Sequence, residues 1–291
     1  MAVPKIFFFG TGKWSQNYFF LLEKKLKGKF NITCVITNNL NFKNNLYNTE
    51  SSLEKAIFNF GVPDCFILCT NPKLNYSILK KICEFNKPII IEKPITLSKD
   101  INNLILNIPK KNSSKILVNH FHFYHDDFKR KFLNIRNENN YKIKIIDGNQ
   151  GPIRDYSPLS DWAPHPLGIV SYFLGGPKNI KILKIKRLNY INPYHYNIYI
   201  ELSDIDENKN FKILIGNNFK YKERIINFSN KNLSTNFNLQ ESITKISPLE
   251  NLLLNFHDLI CNDKLDISDE TFEIAVNSAK IIKIIENHFK I

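Results

Sequence analysis

Residues 88–94 read Pro-Ile-Ile-Ile-Glu-Lys-Pro. Three isoleucines between prolines are too short and too β-branched a run for a helix, and match a strand buried on both faces of a parallel sheet. The run then breaks into charge. Glu92 and Lys93 stand where such a strand leaves the sheet, and ligands of open α/β sheets bind outside the carboxyl ends of the strands. Pro94 fixes the exit and removes a backbone donor. A lysine held there is placed for chemistry, although a surface Glu-Lys pair that only caps a strand would carry the same letters.

Upstream, Lys5 to Phe9 reads as a buried strand, followed at once by Gly-Thr-Gly-Lys-Trp-Ser (residues 10–15) and an amphipathic helix to about Leu26. A dinucleotide pyrophosphate needs this order. Gly10 permits the tight turn, Gly12 lets backbone approach phosphate, and the helix start offers free N–H groups. Thr11, Lys13 and Trp14 complete the turn as candidate cofactor contacts, and Ser15 replaces the third glycine of the fingerprint. The second strand, Ile32 to Thr37, runs into Asn38 and Asn39, where an NAD-selective site usually shows a carboxylate for the ribose hydroxyls. None is there, no arginine follows to hold a 2′-phosphate, and Lys43 is a distant candidate. NAD and NADP both stay open, with Asn38 a candidate contact to either.

Strand and helix keep alternating. A helix is expected around Leu53 to Phe60, a strand from Cys65 to Cys69, a helix from Leu74 to Phe85, a helix over roughly Ser98 to Ile108 and a strand from Lys115 to Asn119. This order predicts a doubly wound parallel sheet. Thr70 to Tyr76, Thr-Asn-Pro-Lys-Leu-Asn-Tyr, lies at another strand's carboxyl end, so Thr70, Asn71, Pro72 and Asn75 should line the same crevice. Past Asn119 the pattern becomes strands joined by polar turns: Ile198 to Leu202, Phe211 to Ile215, Arg224 to Phe228. Two helices close the chain, Pro248 to Cys261 and Asp269 to Asn287, the second capped by Ser268 or Asp269. The expected class is α/β: a Rossmann domain over residues 1–120, then an α/β domain over 121–291 with a largely antiparallel open sheet and a C-terminal helix returning toward the first domain.

With 291 residues, 43% of them hydrophobic, the chain can bury a sizeable core. The net charge of +13 would ordinarily point to an anionic partner. No basic run interleaved with aromatics stands out, and the abundance of lysine, asparagine and isoleucine throughout argues for compositional drift rather than a nucleic-acid face. Five cysteines without a close CxxC pair suit a reducing compartment. No apolar run reaches the ~18 residues of a membrane span. A cytoplasmic protein without membrane or nucleic-acid partner is expected.

Two histidine-bearing stretches remain. Asn119 to Asp127 carries His120, His122 and His125 ahead of two aspartates. It looks like a metal cluster by composition, but His120 and His122 are read as sharing a strand face with His125 beyond it, so no metal is expected and His120 is assigned to the crevice. Asn149 to Gly176 contains Asp161 and His165, four apart and on one face if a helix starts there, with Pro164 and Pro166 tolerable only in its first turn. A carboxylate-oriented imidazole is a general acid/base pair, while a helix cap plus a surface histidine would share the spacing.

Taken together, GTGKWSQNY, TNPKLNY, IIIEKPITL, VNHFHFY and DWAPHPLGI, in this order, resemble the Gfo/Idh/MocA family, the glucose-fructose oxidoreductase and inositol dehydrogenase group, over roughly Lys5 to Gly175. The run through Asn149, Gly151, Ile153, Arg154, Asp155 and DWAPH resembles the branch acting on nucleotide sugars, such as the UDP-N-acetylglucosaminuronate 3-dehydrogenases of surface-polysaccharide synthesis. The resemblance implies an NAD(P)-dependent oxidoreductase, commonly a homo-oligomer, with Lys93, His165 and Asp161 as catalytic residues. Hydride transfer at a secondary alcohol of a sugar, with C3 of a nucleotide-linked sugar as the expected carbon, follows. Lys93 or His165 would be the base, Arg154 would hold an anionic group, and His120, Asn149 and Trp162 would also contact substrate. Ser15, Asn75 and Pro166 depart from the family's glycine, histidine and aspartate. Two other readings stand beside this one: a reductase of a non-sugar imine or carbonyl, and a nucleotide-binding sensor without turnover.

Overall fold

The computed structural model describes residues 2–42, 46–108, 113, 115–132, 135–136, 138–241, 244–262 and 268–289. Lys43 and the capping side chains expected at 268 and 269 lie outside the described residues. The chain divides into two compact units, Met1–Asn119 with Leu249–Glu273, and His120–Pro248 with Ile274–Ile291.

The first unit is built on a parallel sheet of β1 (Lys5–Phe9), β2 (Asn31–Ile36), β3 (Asn48–Glu50), β4 (Cys65–Leu68), β5 (Ile89–Ile91) and β6 (Ile116–Val118), in the order β3-β2-β1-β4-β5-β6. All of β4, β5 and β6 and four of the five residues of β1 are buried. Helices cover both faces of such a sheet, which is why these strands are continuously apolar rather than alternating. The stretch expected to be one helix to about Leu26 is α-helical over Ser15–Phe20 and widens into a π-helical turn at Leu21–Lys25. Leu53–Phe60 is a helix capped by Ser52, whose hydroxyl accepts from Lys55 N at 3.2 Å. The helix expected from Leu74 starts earlier, at Pro72, because Asn71 caps it by accepting from Lys73 N at 3.1 Å and proline fits the first position.

The second unit holds a mixed sheet of β7 (Tyr141–Gly148), β8 (Ile180–Asn192), β9 (His195–Asp204), β10 (Lys209–Gly216), β11 (Glu223–Ser229) and β12 (Ser234–Asn238), ordered β12-β11-β7-β10-β9-β8. Only the β7 and β10 pair is parallel; the other pairs are antiparallel. β7 alternates, with Tyr141, Ile143 and Ile145 buried and Lys142 and Lys144 exposed, so one face is core and the other polar. The helices Pro158–Trp162 and Pro164–Leu174 pack Leu159, Leu167, Ile169 and Val170 into that core, joined by Ile281, Ile282 and Ile285 of the last helix, Ser268–Phe289. Among the described residues no helix is long and apolar enough to cross a membrane.

Candidate active site

In a parallel sheet every strand ends at the same edge, so the loops after β1, β2, β4, β5 and β6 gather there. Backbone bonds fix their register. Cys69 N donates to Phe9 O at 2.9 Å, Glu92 N to Leu68 O at 2.9 Å, and Asn119 N to Ile91 O at 3.0 Å. The first to leave is the glycine turn. Gly10 has φ +100°, and a Cβ there would stand 2.2 Å from the carbonyl oxygen of Cys69. A Cβ at Gly12 would meet no protein atom within 4 Å, so the turn is closed against the sheet at one glycine and open at the other. That combination fits a pyrophosphate approached by backbone. Ser15 is fully buried, and a larger side chain would have to displace the packing around it.

This asymmetry makes a paired prediction. Gly10→Ala should cost about 2–5 kcal/mol of folding stability, from left-handed strain plus collision with the carbonyl. Gly12→Ala should leave stability within about 0.5 kcal/mol, as an open surface site does. Urea denaturation of both variants checks this, and equal losses would refute it.

After β2, Thr11 and Thr37 share a hydroxyl contact at 3.1 Å, Asn39 N donates to Thr37 Oγ1 at 3.1 Å, and Asn39 Nδ2 reaches Thr11 Oγ1 at 3.4 Å. Asn38 is exposed, as are Lys13 and Asn71. A neutral, hydroxyl-rich platform thus stands where a ribose-binding carboxylate would be.

Glu92 is not a surface cap. It is buried, and its Oε1 accepts from Trp14 Nε1 at 2.8 Å, Tyr18 OH at 2.6 Å and Asn119 Nδ2 at 2.6 Å. Burial raises the carboxyl above its usual range despite these donors and the nearby Lys93 charge. The same network ties the glycine turn, through Trp14, to the exit of β5. On the far side of Lys93, Asn75 Nδ2 donates to Pro94 O at 2.9 Å while its Oδ1 accepts from Thr70 OH at 2.6 Å. Asn75 is buried, so it spends its amide on bracing the loop after β5 against the loop after β4. Pro72, at the first position of the following helix, is buried as well. Lys93 is half-buried between two anchored residues.

In the second unit, Ser157 opens the helix Pro158–Trp162 by accepting from Leu159 N at 3.1 Å. Ala163 keeps helical dihedrals (φ −69°, ψ −25°), and Pro164 takes the first position of the next segment. Asp161 and His165 therefore fall in two helical segments rather than one, because the prolines at 164 and 166 lack donors, yet they remain one turn apart. His165 is buried; Asp161 is partly exposed and lies 3.8 Å from Arg154, itself half-exposed. Asn149 and Trp162 flank Gly151, whose Cβ would come within 2.4 Å of Asn149 Oδ1 and 3.2 Å of the indole.

The expectation that His120 and His122 share a strand face is corrected. β6 stops at Val118, His120 precedes a 3₁₀ turn over Phe121–Tyr124, and His122 lies inside it. The period-two pattern of Asn-His-Phe-His-Phe imitates a strand although the backbone has already turned. His120 packs on Gly168, where a Cβ would approach its ring to 2.9 Å, and its ring centre is 5.8 Å from that of His165; His122 is 5.6 Å from His165. Burial drives His122 well below the ordinary histidine value, with Arg224 the next cause, and burial also lowers His125. Among the described residues no group of three His, Cys, Asp or Glu side chains is placed to hold a metal ion.

A parallel sheet in this strand order, with a glycine turn after its first strand, is a Rossmann fold, the class in which dinucleotides bind at this edge. Residues 5–120 match the Gfo/Idh/MocA model, an oxidoreductase family with an NAD-binding Rossmann fold. No curated protein matches the sequence. Among solved structures, a myo-inositol dehydrogenase from Corynebacterium glutamicum is 14% identical with a TM-score of 0.76, covering 97% of this chain and 96% of that one. A UDP-N-acetylglucosamine 3-dehydrogenase from Acidithiobacillus ferrooxidans is 10% identical with a TM-score of 0.75 and 98% coverage of both chains. A Gfo/Idh/MocA family oxidoreductase from Vibrio cholerae is 11% identical with a TM-score of 0.71, covering 99% and 98%. These likenesses establish a shared fold over both units.

Proposed function

We propose that the protein is a nicotinamide-dependent dehydrogenase acting on a secondary alcohol of a sugar carried on a nucleotide. The observation that supports it most is Lys93, fixed from both sides at the sheet edge where the glycine turn also emerges. Gly10, Thr11, Gly12, Lys13 and Trp14 would hold the pyrophosphate side of the cofactor, Thr37 and Asn38 the ribose, and Thr70, Asn71 and Pro72 the nicotinamide side. When bound, the nicotinamide takes or returns the hydride. His165 takes the hydroxyl proton, and Lys93 stabilises the charge that develops on the alcohol oxygen. Asp161 orients substrate, and Arg154, at the rim, steers anionic groups toward it. The dehydrogenases among the structural relatives support the reaction class; the nucleotide-sugar substrate and a role in surface-polysaccharide synthesis rest on the Asn149 to His165 run.

Oxidation of a panel of nucleotide sugars and free sugars, followed by nicotinamide absorbance with NAD and NADP in turn, tests the proposal. Silence with every substrate would end it. The neutral platform at Thr37 predicts a second result. Thr37→Asp should shift the NAD over NADP preference in kcat/KM by at least tenfold, since a carboxylate there accepts from ribose hydroxyls and repels a 2′-phosphate. An unchanged ratio would place the ribose elsewhere. The same reading takes the protein to be a cytoplasmic homo-oligomer, in keeping with its five free thiols.

A further inference from the structure

The apolar stripe of the second sheet ends in charge. Tyr141, Ile143, Ile145 and Asp147 follow one another on the buried face of β7, and Arg224, Ile226 and Phe228 do so on β11. The register sets Phe228 opposite Ile143, Ile226 opposite Ile145 and Arg224 opposite Asp147. The last pair meets through Arg224 Nε and Asp147 Oδ1 at 3.2 Å, with side-chain exposures of 27% and 5%. Drawing an ion pair this far from water gains little over apolar residues in the same places, so stability alone does not account for it.

The surroundings do. The guanidinium lies 5.4 Å from the ring centre of Phe121 and 5.9 Å from that of Trp162. Phe121 in turn packs 4.4 Å from the ring of His165. A cation braced by a carboxylate, flanked by two aromatic rings and one ring away from the imidazole has the attributes of an anion receptor rather than of a surface charge. Arg154 lacks them, being 52% exposed and 3.8 Å from its carboxylate.

We infer that Arg224 is a substrate-binding residue that receives an anionic group of the substrate, a carboxylate on the sugar or a phosphate of its carrier, and that Asp147 is its positioning residue. The inference rests on the reading of His165 as the residue facing the reacting alcohol. Asp147 meets the guanidinium at Nε, and the fork has terminal nitrogens for a second, bidentate partner.

Calorimetric titration of the full chain with UDP-glucuronate, UDP-glucose, UDP and free glucuronate tests this. Arg224→Met should weaken binding on the order of 10- to 100-fold, the usual weight of a charged hydrogen-bonded contact, and Arg224→Lys should restore part of it. If the carboxylate is the group held, UDP-glucuronate and glucuronate weaken while UDP-glucose and UDP do not. If it is phosphate, every UDP ligand weakens alike and glucuronate does not. Circular dichroism and the lysine variant separate a lost contact from a lost fold. Unchanged affinity of Arg224→Met for all four ligands, or no binding of any to the unaltered chain, overturns the inference. Turnover of a neutral sugar that ignores Arg224→Met would leave the dehydrogenase reading standing without it. Arg224-dependent binding without turnover would support it while removing that reading.

Discussion

Lys93→Met is expected to lower kcat by about 10³-fold, within the range that a positioned proton-transfer or oxyanion-stabilising group contributes, while cofactor affinity falls by less than about tenfold. The expectation of an intact fold comes from the neighbours. Glu92 is held by Trp14, Tyr18 and Asn119, and Pro94 is held by Asn75, so the backbone keeps its course without the ammonium. Lys93→Arg should recover little, because a planar, delocalised fork does not put a point charge in the same place. Steady-state kinetics on the best substrate of the panel, with cofactor binding measured separately, checks both halves. A methionine variant that turns over at the unaltered rate would mean that the chemistry does not pass through this residue.

How far the sequence reaches is visible element by element. Uniformly apolar runs betray buried parallel strands, so β1, β4, β5 and β6 are legible, and glycine and proline mark where β1 and β5 end. Asn48–Glu50 has no such signature, being three polar residues at the sheet edge, and only its pairing with β2 makes it a strand. β7 and β8 alternate isoleucine with lysine and could have been read from that period. The candidate site divides in the same way. Lys93, Asp161 and His165 lie in compact motifs. Asn119, directly after β6, could be placed at the sheet edge by strand order, but its bond to Glu92 depends on which way both side chains turn. Arg224 and Asp147 meet only because β11 runs antiparallel to β7 in one register, and a slip by one residue would send both side chains to the opposite face. Local sequence carries no trace of that.

Glu92 gives the largest expected effect on stability. Glu92→Leu removes the acceptor for three donors at once. Trp14 is half-exposed and its N–H can turn to water, but Tyr18 and Asn119 are buried, so two donors are stranded. At about 1–3 kcal/mol for each unsatisfied buried group, the loss should be about 2–6 kcal/mol. Glu92→Gln keeps an oxygen acceptor among the three donors and sheds the charge. Its effect depends on pH in a direction that follows from linkage. Burial raises the folded carboxyl above its ordinary value, so the folded chain holds this proton more tightly than the unfolded chain. The stability contributed by that proton is complete below the unfolded value of about 4.3 and drains away as pH rises from there through the folded value. Once pH has risen past the folded value the fold carries a buried charge that it would prefer to lose, and the glutamine variant should equal or exceed the unaltered chain in stability there, with a shallower fall above pH ~4. Urea denaturation from pH 4 to 8 measures both slopes. If the glutamine variant keeps the original slope, the titrating group is another residue. If it is instead as unstable as the leucine variant, the charge itself holds Trp14, Tyr18 and Asn119 together, and Lys93 serves as its counter-ion rather than as the substrate's partner.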